Sequence, residues 1–422
     1  MVRRACLILS FASACADSSA PLSGTSTGGD GSDTTTSAAE SSSSTTAVSS
    51  AATADTSSSD GSGSTSGDTT GESVWSWDLP EGFAEPFVPD DNPMSAAKVE
   101  LGRHLFYDVR MSGGGTFACA TCHLQELAFS DGRVTAIGET GDVHRRNSMS
   151  LANVGYNASL TWAHPLLVEL ERQALVPMFG TDPVELGIDS ETELVAALEV
   201  EPLYAELFAA AFPNDAEPLT AANVVAALST FQRTIISGRS PYDRWFYGED
   251  DAISEAAKRG YALFNGHPFE CFHCHVGFNF SDAVHWQGKP HRDLVFHNTG
   301  LYNVDGQGAY PAIDSGLAEL TLAPDDMGKF RAPTLRNIAL TAPYMHDGSI
   351  ATLDGVIDHY AAGGRTIAEG EPNAGVGADS PHKDSLIGGF EVTAEQRADI
   401  IAFLESLTDT EMLTDPELAD PW

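Results

Sequence analysis

Between Ala16 and Ser73 the chain is Ser, Thr, Gly and Ala with scattered acids and almost no large apolar side chain. Such a stretch cannot bury enough surface to offset the entropy of ordering it, so it predicts a disordered tether over 16–73. Ahead of it, Arg3 and Arg4 precede a short apolar run from Leu7 to Phe11, and small residues then lead to Cys15, the outline of an export signal over 1–15. Large apolar residues return at Val74-Trp75-Ser76-Trp77, where a folded body is expected to begin. Helical spacing dominates the body. Ser95 to Phe106 and Ser254 to Phe264 each carry an apolar stripe and close on Gly-x-x-Leu-Phe. Thr393 with Gln396 predicts a capping box, and Ile400, Ile401, Phe403, Leu404 and Leu407 give that last helix its apolar face. Alternating strand patterns are scarce, and long loops rich in Gly, Pro and Asp join the helices. The expected fold class is all-α, and the repeated unit implies two homologous domains, 74–250 and 251–422.

Charge narrows the partners. Of 422 residues 60 are acidic and 22 basic, a formal net charge of -38, which excludes nucleic acid as a natural ligand. Most of the acids lie in the body, so a basic protein partner would be steered toward it. No run of 18 apolar residues occurs, so a membrane-spanning helix is not expected. Ala12-Ser13-Ala14 before Cys15 resemble a lipoprotein cleavage site; membrane attachment would then be through lipid on Cys15, with an ordinary cleaved signal as the alternative.

Of the six cysteines, four form two close pairs, and each pair is followed by histidine: Cys119-Ala120-Thr121-Cys122-His123 and Cys271-Phe272-His273-Cys274-His275. C-x-x-C-H is the attachment sequence of c-type haem, the thiols adding to vinyl groups and the histidine coordinating iron. Zinc binding and redox thiols are the competing readings of one such motif. Two motifs, each following a similar helix in an exported chain, favour two covalent haems with His123 and His275 as axial ligands.

The segment from Phe330 through Arg331-Ala332-Pro333-Thr334-Leu335-Arg336-Asn337 to Tyr344-Met345-His346-Asp347-Gly348 resembles the hallmark loop of bacterial di-haem cytochrome c peroxidases and MauG-type enzymes. With both haem motifs, the resemblance spans about Ser76 to Thr408. It implies that Tyr360, where the peroxidases carry methionine, ligates the second haem iron, with His359 as the alternative. It implies a peroxide site at the first haem, with Glu185 as acid/base, Gln173 orienting water or peroxide and Pro177 walling the pocket. The gap from Pro177 to Glu185 is two residues longer than the family pattern. His144 is the one histidine placed to block that haem, and an open haem is the expectation. Trp162 matches a tryptophan that relays charge between the haems, and Asn147, Thr341 and Pro343 match the positions that hold a calcium ion. Phe269 stands where MauG has a surface tryptophan before its second motif.

Trp77-Asp78-Leu79-Pro80-Glu81-Gly82-Phe83, Asp91-Asn92-Pro93-Met94 and Val276-Gly277-Phe278-Asn279-Phe280 resemble a branch, the MbnH-type enzymes. That branch implies a periplasmic enzyme using hydrogen peroxide, through a high-valent state shared by both haems, to oxidise a side chain of a partner protein, an exported copper-binding protein. Two other readings stay open: a cytochrome c peroxidase drawing electrons from a small redox protein, and an electron-transfer di-haem cytochrome.

Overall fold

The computed structural model describes residues 75–422, which belong to one compact unit. The expected signal peptide over 1–15, with Cys15, and the tether over 16–73 lie outside the described residues. Among the described residues no helix is long and apolar enough to cross a membrane.

The two predicted repeat helices are Ala96–Tyr107 and Glu255–Phe264, capped by Ser95 and Ser254, whose side chains accept from Lys98 N and Ala257 N. Each crosses a later helix at a glycine. A Cβ on Gly102 would sit 2.0 Å from the carbonyl oxygen of Ala227, and one on Gly260 would sit 1.9 Å from that of Asp399. The crossed helices are Ala221–Arg233 and Ala394–Glu405, the second opened by the expected Thr393/Gln396 capping box. At each crossing three phenylalanines meet. Phe106 lies 5.3 Å from Phe231 and 6.0 Å from Phe129; Phe264 lies 5.1 Å from Phe403 and 6.3 Å from Phe280. All six are buried, each worth about 1.5–3 kcal/mol over exposure.

The correspondence extends into the loops. Asn153 and Asn337 both adopt φ of 60°, a conformation asparagine tolerates. Their backbone N–H groups donate to Ile235 and Leu407, four residues past Phe231 and Phe403. Their side-chain oxygens accept from Ser237 N and Asp409 N, each at 2.8 Å. Ser150 and Thr334 hydroxyls, three residues earlier, donate to the carbonyls of Ala128 and Asn279, just before Phe129 and Phe280. The first half therefore holds a degenerate copy of the hallmark loop, Ser150-Leu151-Ala152-Asn153-Val154 against Thr334-Leu335-Arg336-Asn337-Ile338.

One hydrophobic cluster gathers around Leu101, Phe106, Phe208 and Phe231, and another around Phe264, Phe280, Ile400 and Phe403. Met412 and Leu418, from the C-terminal end, join the first. Tyr107 Oη donates to Leu418 O at 2.7 Å, Arg103 to Pro416 O at 2.9 Å, and Gln125 to Met412 O and Asp415 O, each at 3.0 Å. The Trp422 indole N–H reaches His104 O at 3.2 Å.

The all-α expectation holds only in part. Thr366–Ile367 pair antiparallel with Gly375–Val376, and long irregular loops connect the helices. Glycine makes that ladder possible: a Cβ on Gly375 would meet Asn303 O at 2.2 Å, and one on Gly377 would meet Gly300 O at 1.8 Å. A two-residue ladder of this kind leaves no alternation to read in sequence.

Gly260→Ala places a methyl group against a backbone carbonyl that cannot move without opening the crossing. Overpacking of this sort costs about 1–3 kcal/mol. Urea unfolding of Gly260→Ala and of Gly102→Ala is expected to show a loss in that range for each. Unchanged midpoints would mean the crossings are looser than drawn.

Candidate functional site

Both C-x-x-C-H segments follow the ends of the repeat helices, in the short turns Cys119–Cys122 and Cys271–His273. One device orients both histidines. His123 Nδ1 faces the carbonyl oxygen of Phe129 at 2.8 Å, and His275 Nδ1 faces that of Phe280 at 3.1 Å. A carbonyl only accepts, so each Nδ1 carries the proton and each Nε2 keeps its lone pair for a metal. Phe129 and Phe280 adopt φ of 59° and 47°, a left-handed bend at matching places in the repeat. Burial lowers the pKa of both imidazoles, favouring the neutral form a ligand needs.

The four cysteines are free. Burial pushes the thiols of Cys119 and Cys271 up to about 12 and that of Cys122 up to about 11.

A cavity of about 380 Å³ opens on the second motif, walled by Cys271, Cys274 and His275 and by Tyr360. The Tyr360 phenol is pushed up, first by burial and then by Cys274 and Cys271, which places the ring over the motif. His359 is not part of the cavity wall; both its ring nitrogens are buried without a partner, and burial brings its pKa down to about 4. Of the two neighbours, Tyr360 is the one that shares the cavity wall with His275.

Arg331 tests whether this cavity suits a haem. It lines the wall, is 3% exposed, and has no carboxylate within ion-pair distance among the described residues. Its guanidinium meets neutral acceptors, Asn157 Oδ1 at 3.3 Å, Thr161 O at 3.3 Å and Met149 Sδ at 3.4 Å, and burial lowers its pKa to about 10. A buried cation so placed calls for an anion. The propionate carboxylates on the edge of a haem supply that chemistry, and the residues present fit the group.

The cavity reaches back toward the first motif through Asn147, Ser148, Met149 and Trp162. The Trp162 indole N–H donates to Asn147 O at 2.8 Å, while the Ser148 hydroxyl donates to Cys122 O at 3.0 Å. The indole thus lies between the first motif and the second cavity. Asn147, Thr341 and Pro343 share that wall. The Asn147 amide donates to Arg133 O at 2.7 Å, which leaves its side-chain oxygen free to accept.

Glu185 comes to the first motif from a strap. Leu186 N donates to Pro177 O at 2.9 Å, Ile188 N to Met178 O at 3.2 Å and Glu139 N to Glu185 O at 2.8 Å. After burial, the Glu185 charge adds to the raised pKa of Cys119 and Cys122 and opposes the lowering of His123, so it lies near the motif despite the longer gap from Pro177. Gln173 is half-buried at the end of the Leu170–Gln173 turn. Pro177 stands seven residues after Leu170, as Tyr360 stands seven after Leu353, and each is followed three residues later by glycine. His144 Nε2 lies 3.4 Å from Glu185 Oε1, a pairing across 41 positions that nothing in the sequence signals.

A second feature sequence reasoning missed is His297. Its Nδ1 meets Asp384 Oδ2 and its Nε2 meets Asp282 Oδ2, each at 2.7 Å, beside Cys274 on the cavity wall. Burial works against its charge, but Asp282, Cys274 and Asp384 outweigh it and raise the pKa to about 11. The Cys274 share belongs to a free thiol and falls away in a thioether. Because the folded pKa is raised, the stabilisation is full below the ordinary value of 6.5 and is lost as pH climbs through the raised folded value, which lies below 11 once Cys274 is a thioether. His297→Ala leaves two carboxylates facing each other and is expected to cost about 3 kcal/mol at neutral pH. Urea unfolding should show that deficit shrinking as pH rises toward 11; a pH-independent deficit would contradict the ion pairing.

A sequence profile described as di-haem cytochrome c peroxidase matches residues 96–251. The methylamine utilization protein MauG of Methylorubrum extorquens is 34% identical over 331 residues, 78% of this chain and 84% of that protein. The cytochrome-c peroxidase IdrP1 of Denitromonas iodatirespirans is 37% identical over 348 residues, 78% of this chain and 87% of that protein. Among solved structures, a MauG-like protein associated with microbial copper homeostasis superposes with a TM-score of 0.81 at 51% identity, covering 82% of this chain and 99% of that one. The di-haem peroxidase BthA of Burkholderia thailandensis, at 20% identity and a TM-score of 0.57, shares the fold.

Proposed function

The chain belongs to the di-haem cytochrome c peroxidase and MauG family of peroxidase-type oxidoreductases, and from that premise we propose that it uses hydrogen peroxide to oxidise a side chain of a partner protein. The observation that carries this choice is Tyr360 over the second motif. A phenolate at that position favours ferric and higher oxidation states, which suits holding oxidising equivalents and makes the site a poor acceptor from a small redox donor. The 51% identical MauG-like structure associated with copper homeostasis supports an exported copper-binding protein as the partner. The export signal read over 1–15 puts the reaction in the periplasm, and we keep the two haem units at 74–250 and 251–422.

The two covalent haems supply the reduction of peroxide and the storage of its two oxidising equivalents. Every other part of the work falls to the chain. Cys119 and Cys122, and Cys271 and Cys274, hold the groups, with His123 and His275 presenting Nε2 and Tyr360 its phenol oxygen. Pro177, at the place matching Tyr360, has no side-chain atom that can ligate and would wall the peroxide site. Glu185 takes a proton at one carboxylate oxygen and returns it to the other end of the peroxide, with the His144 imidazole beside it to hold that proton. Gln173 orients the bound water or peroxide. Trp162 carries charge between the sites, and Asn147, Thr341 and Pro343 hold a calcium ion with oxygen ligands, the chemistry calcium prefers.

A plain peroxidase and an electron-transfer cytochrome are the competing functions. Stoichiometric peroxide added to the diferric protein without donor is expected to give a long-lived absorbance change with a near-infrared band. Rapid bleaching, or no reaction until one haem is reduced, would favour the plain peroxidase. Glu185→Gln is expected to slow the peroxide reaction by roughly a hundredfold or more with the resting spectrum intact. Tyr360→Phe is expected to change the resting spectrum, and a spectrum that did not move would remove the ligand assignment.

A further inference from the structure

Oxidising equivalents stored at the second site need a path to a partner too large to enter the cavity. Phe269, before the second motif, does not provide it: it is 6% exposed and packs inward on Phe390 at 4.7 Å. On the opposite flank of His275 the structure supplies an unbroken run of rings. The Phe280 ring, whose own carbonyl holds the His275 proton, lies 5.2 Å from Tyr242. Tyr242 lies 5.8 Å from Tyr261, and Tyr261 lies 5.2 Å from Trp245. Tyr242 is buried, whereas Tyr261 and Trp245 are half-buried, so the run climbs from the motif to the surface in order of accessibility.

We propose that Trp245, connected to the second site through Tyr261 and Tyr242, is the surface residue at which a partner's electrons enter. This rests on the peroxide-driven reading above and adds the route. Reduction of one hydrogen peroxide to two waters consumes two electrons and two protons. Each electron leaves Trp245 for Tyr261, passes to Tyr242 and then to the haem side. Each tyrosine is re-reduced after the hop, so neither gains or loses a proton overall. The indole is refilled by one electron from an oxidisable side chain of the partner, which gives its proton to water, and two such passages balance one peroxide.

Two observations favour this route. In the first half the position matching Tyr261 is Arg103, between Gly102 and His104, so that link of the run has no first-half counterpart. The surface around Trp245 is also shaped for recognition. Phe246 and Tyr247 are 52% and 42% exposed, and Glu249, Asp250 and Asp251 follow them in solvent. Exposed aromatic rings beside a block of carboxylates suit a basic protein surface.

The test treats the haem-loaded protein with one equivalent of peroxide, without partner, in the presence of a nitroso spin trap, and maps the adduct by peptide mass spectrometry. The expected adduct is on Trp245. Tyr242→Phe and Tyr261→Phe keep the ring packing and are checked by circular dichroism; the first is expected to lower it by about tenfold, the second by less, because Tyr242 also lies 6.0 Å from Trp245. An adduct on Trp286 or Trp422 with Trp245 clean, or a Trp245 adduct indifferent to both tyrosines, would overturn the route. The haem spectrum of the same samples separates the failures. A peroxide-induced change without a Trp245 adduct sinks the route alone, and no change at all sinks the peroxide reading with it.

Discussion

Two helices can touch backbone to backbone only where one of them lacks a side chain, and both halves of this protein are organised around such a contact. Gly102 against Ala227 and Gly260 against Asp399 bring the helices close enough for the phenylalanine one turn further along each repeat helix, Phe106 or Phe264, to pack against Phe231 or Phe403. That packing in turn supports Phe129 or Phe280, whose left-handed backbone presents its carbonyl to the histidine. The direction in which His123 and His275 aim their Nε2 atoms is therefore set by contacts reaching back to a missing methyl group. A few tenths of an ångström lost at the crossing would be felt at the imidazole, because close-packed interiors transmit displacement.

On this shared frame the halves diverge where chemistry differs. The same position after the loop holds Pro177 in one half and Tyr360 in the other, one unable to ligate and one able. The same position in the repeat helix holds Arg103 or Tyr261. Arg331 leaves a cation facing the second cavity, and its first-half counterpart is Asn147, whose backbone N–H ties the halves together by donating to His346 O. Duplication followed by substitution at a few such places is enough to turn two similar haem units into two different tools.

What was legible in the sequence was local. The C-x-x-C-H motifs, the serine caps, the Gly-x-x-Leu-Phe helix ends and the Thr393 capping box are all set by spacings of a few residues, and the structure contains them within a residue or so. The hallmark loop was visible in its second copy. Its first copy keeps only Ser-Leu-x-Asn, too little to stand out, although the hydrogen bonds of Asn153 and Asn337 match. What was not legible joins distant segments: His144 with Glu185, His297 with Asp282 and Asp384, Phe280 with Tyr242. No periodicity records such pairs, since each depends on loops whose path is fixed by glycines and left-handed residues. The Thr366–Val376 ladder escaped for the opposite reason, being too short to carry a pattern.

The docking of the C-terminal end on the first half has a consequence for how the molecule is made. Met412 and Leu418 complete the hydrophobic cluster beneath the first motif, and the carbonyls of Met412, Asp415, Pro416 and Leu418 satisfy side chains from Arg103 to Gln125. These contacts span some three hundred positions in the chain, so the loop they close is almost the whole body. The first half's cluster is thus completed by residues that lie beyond the second motif, so its packing cannot be finished by residues 96–251 alone.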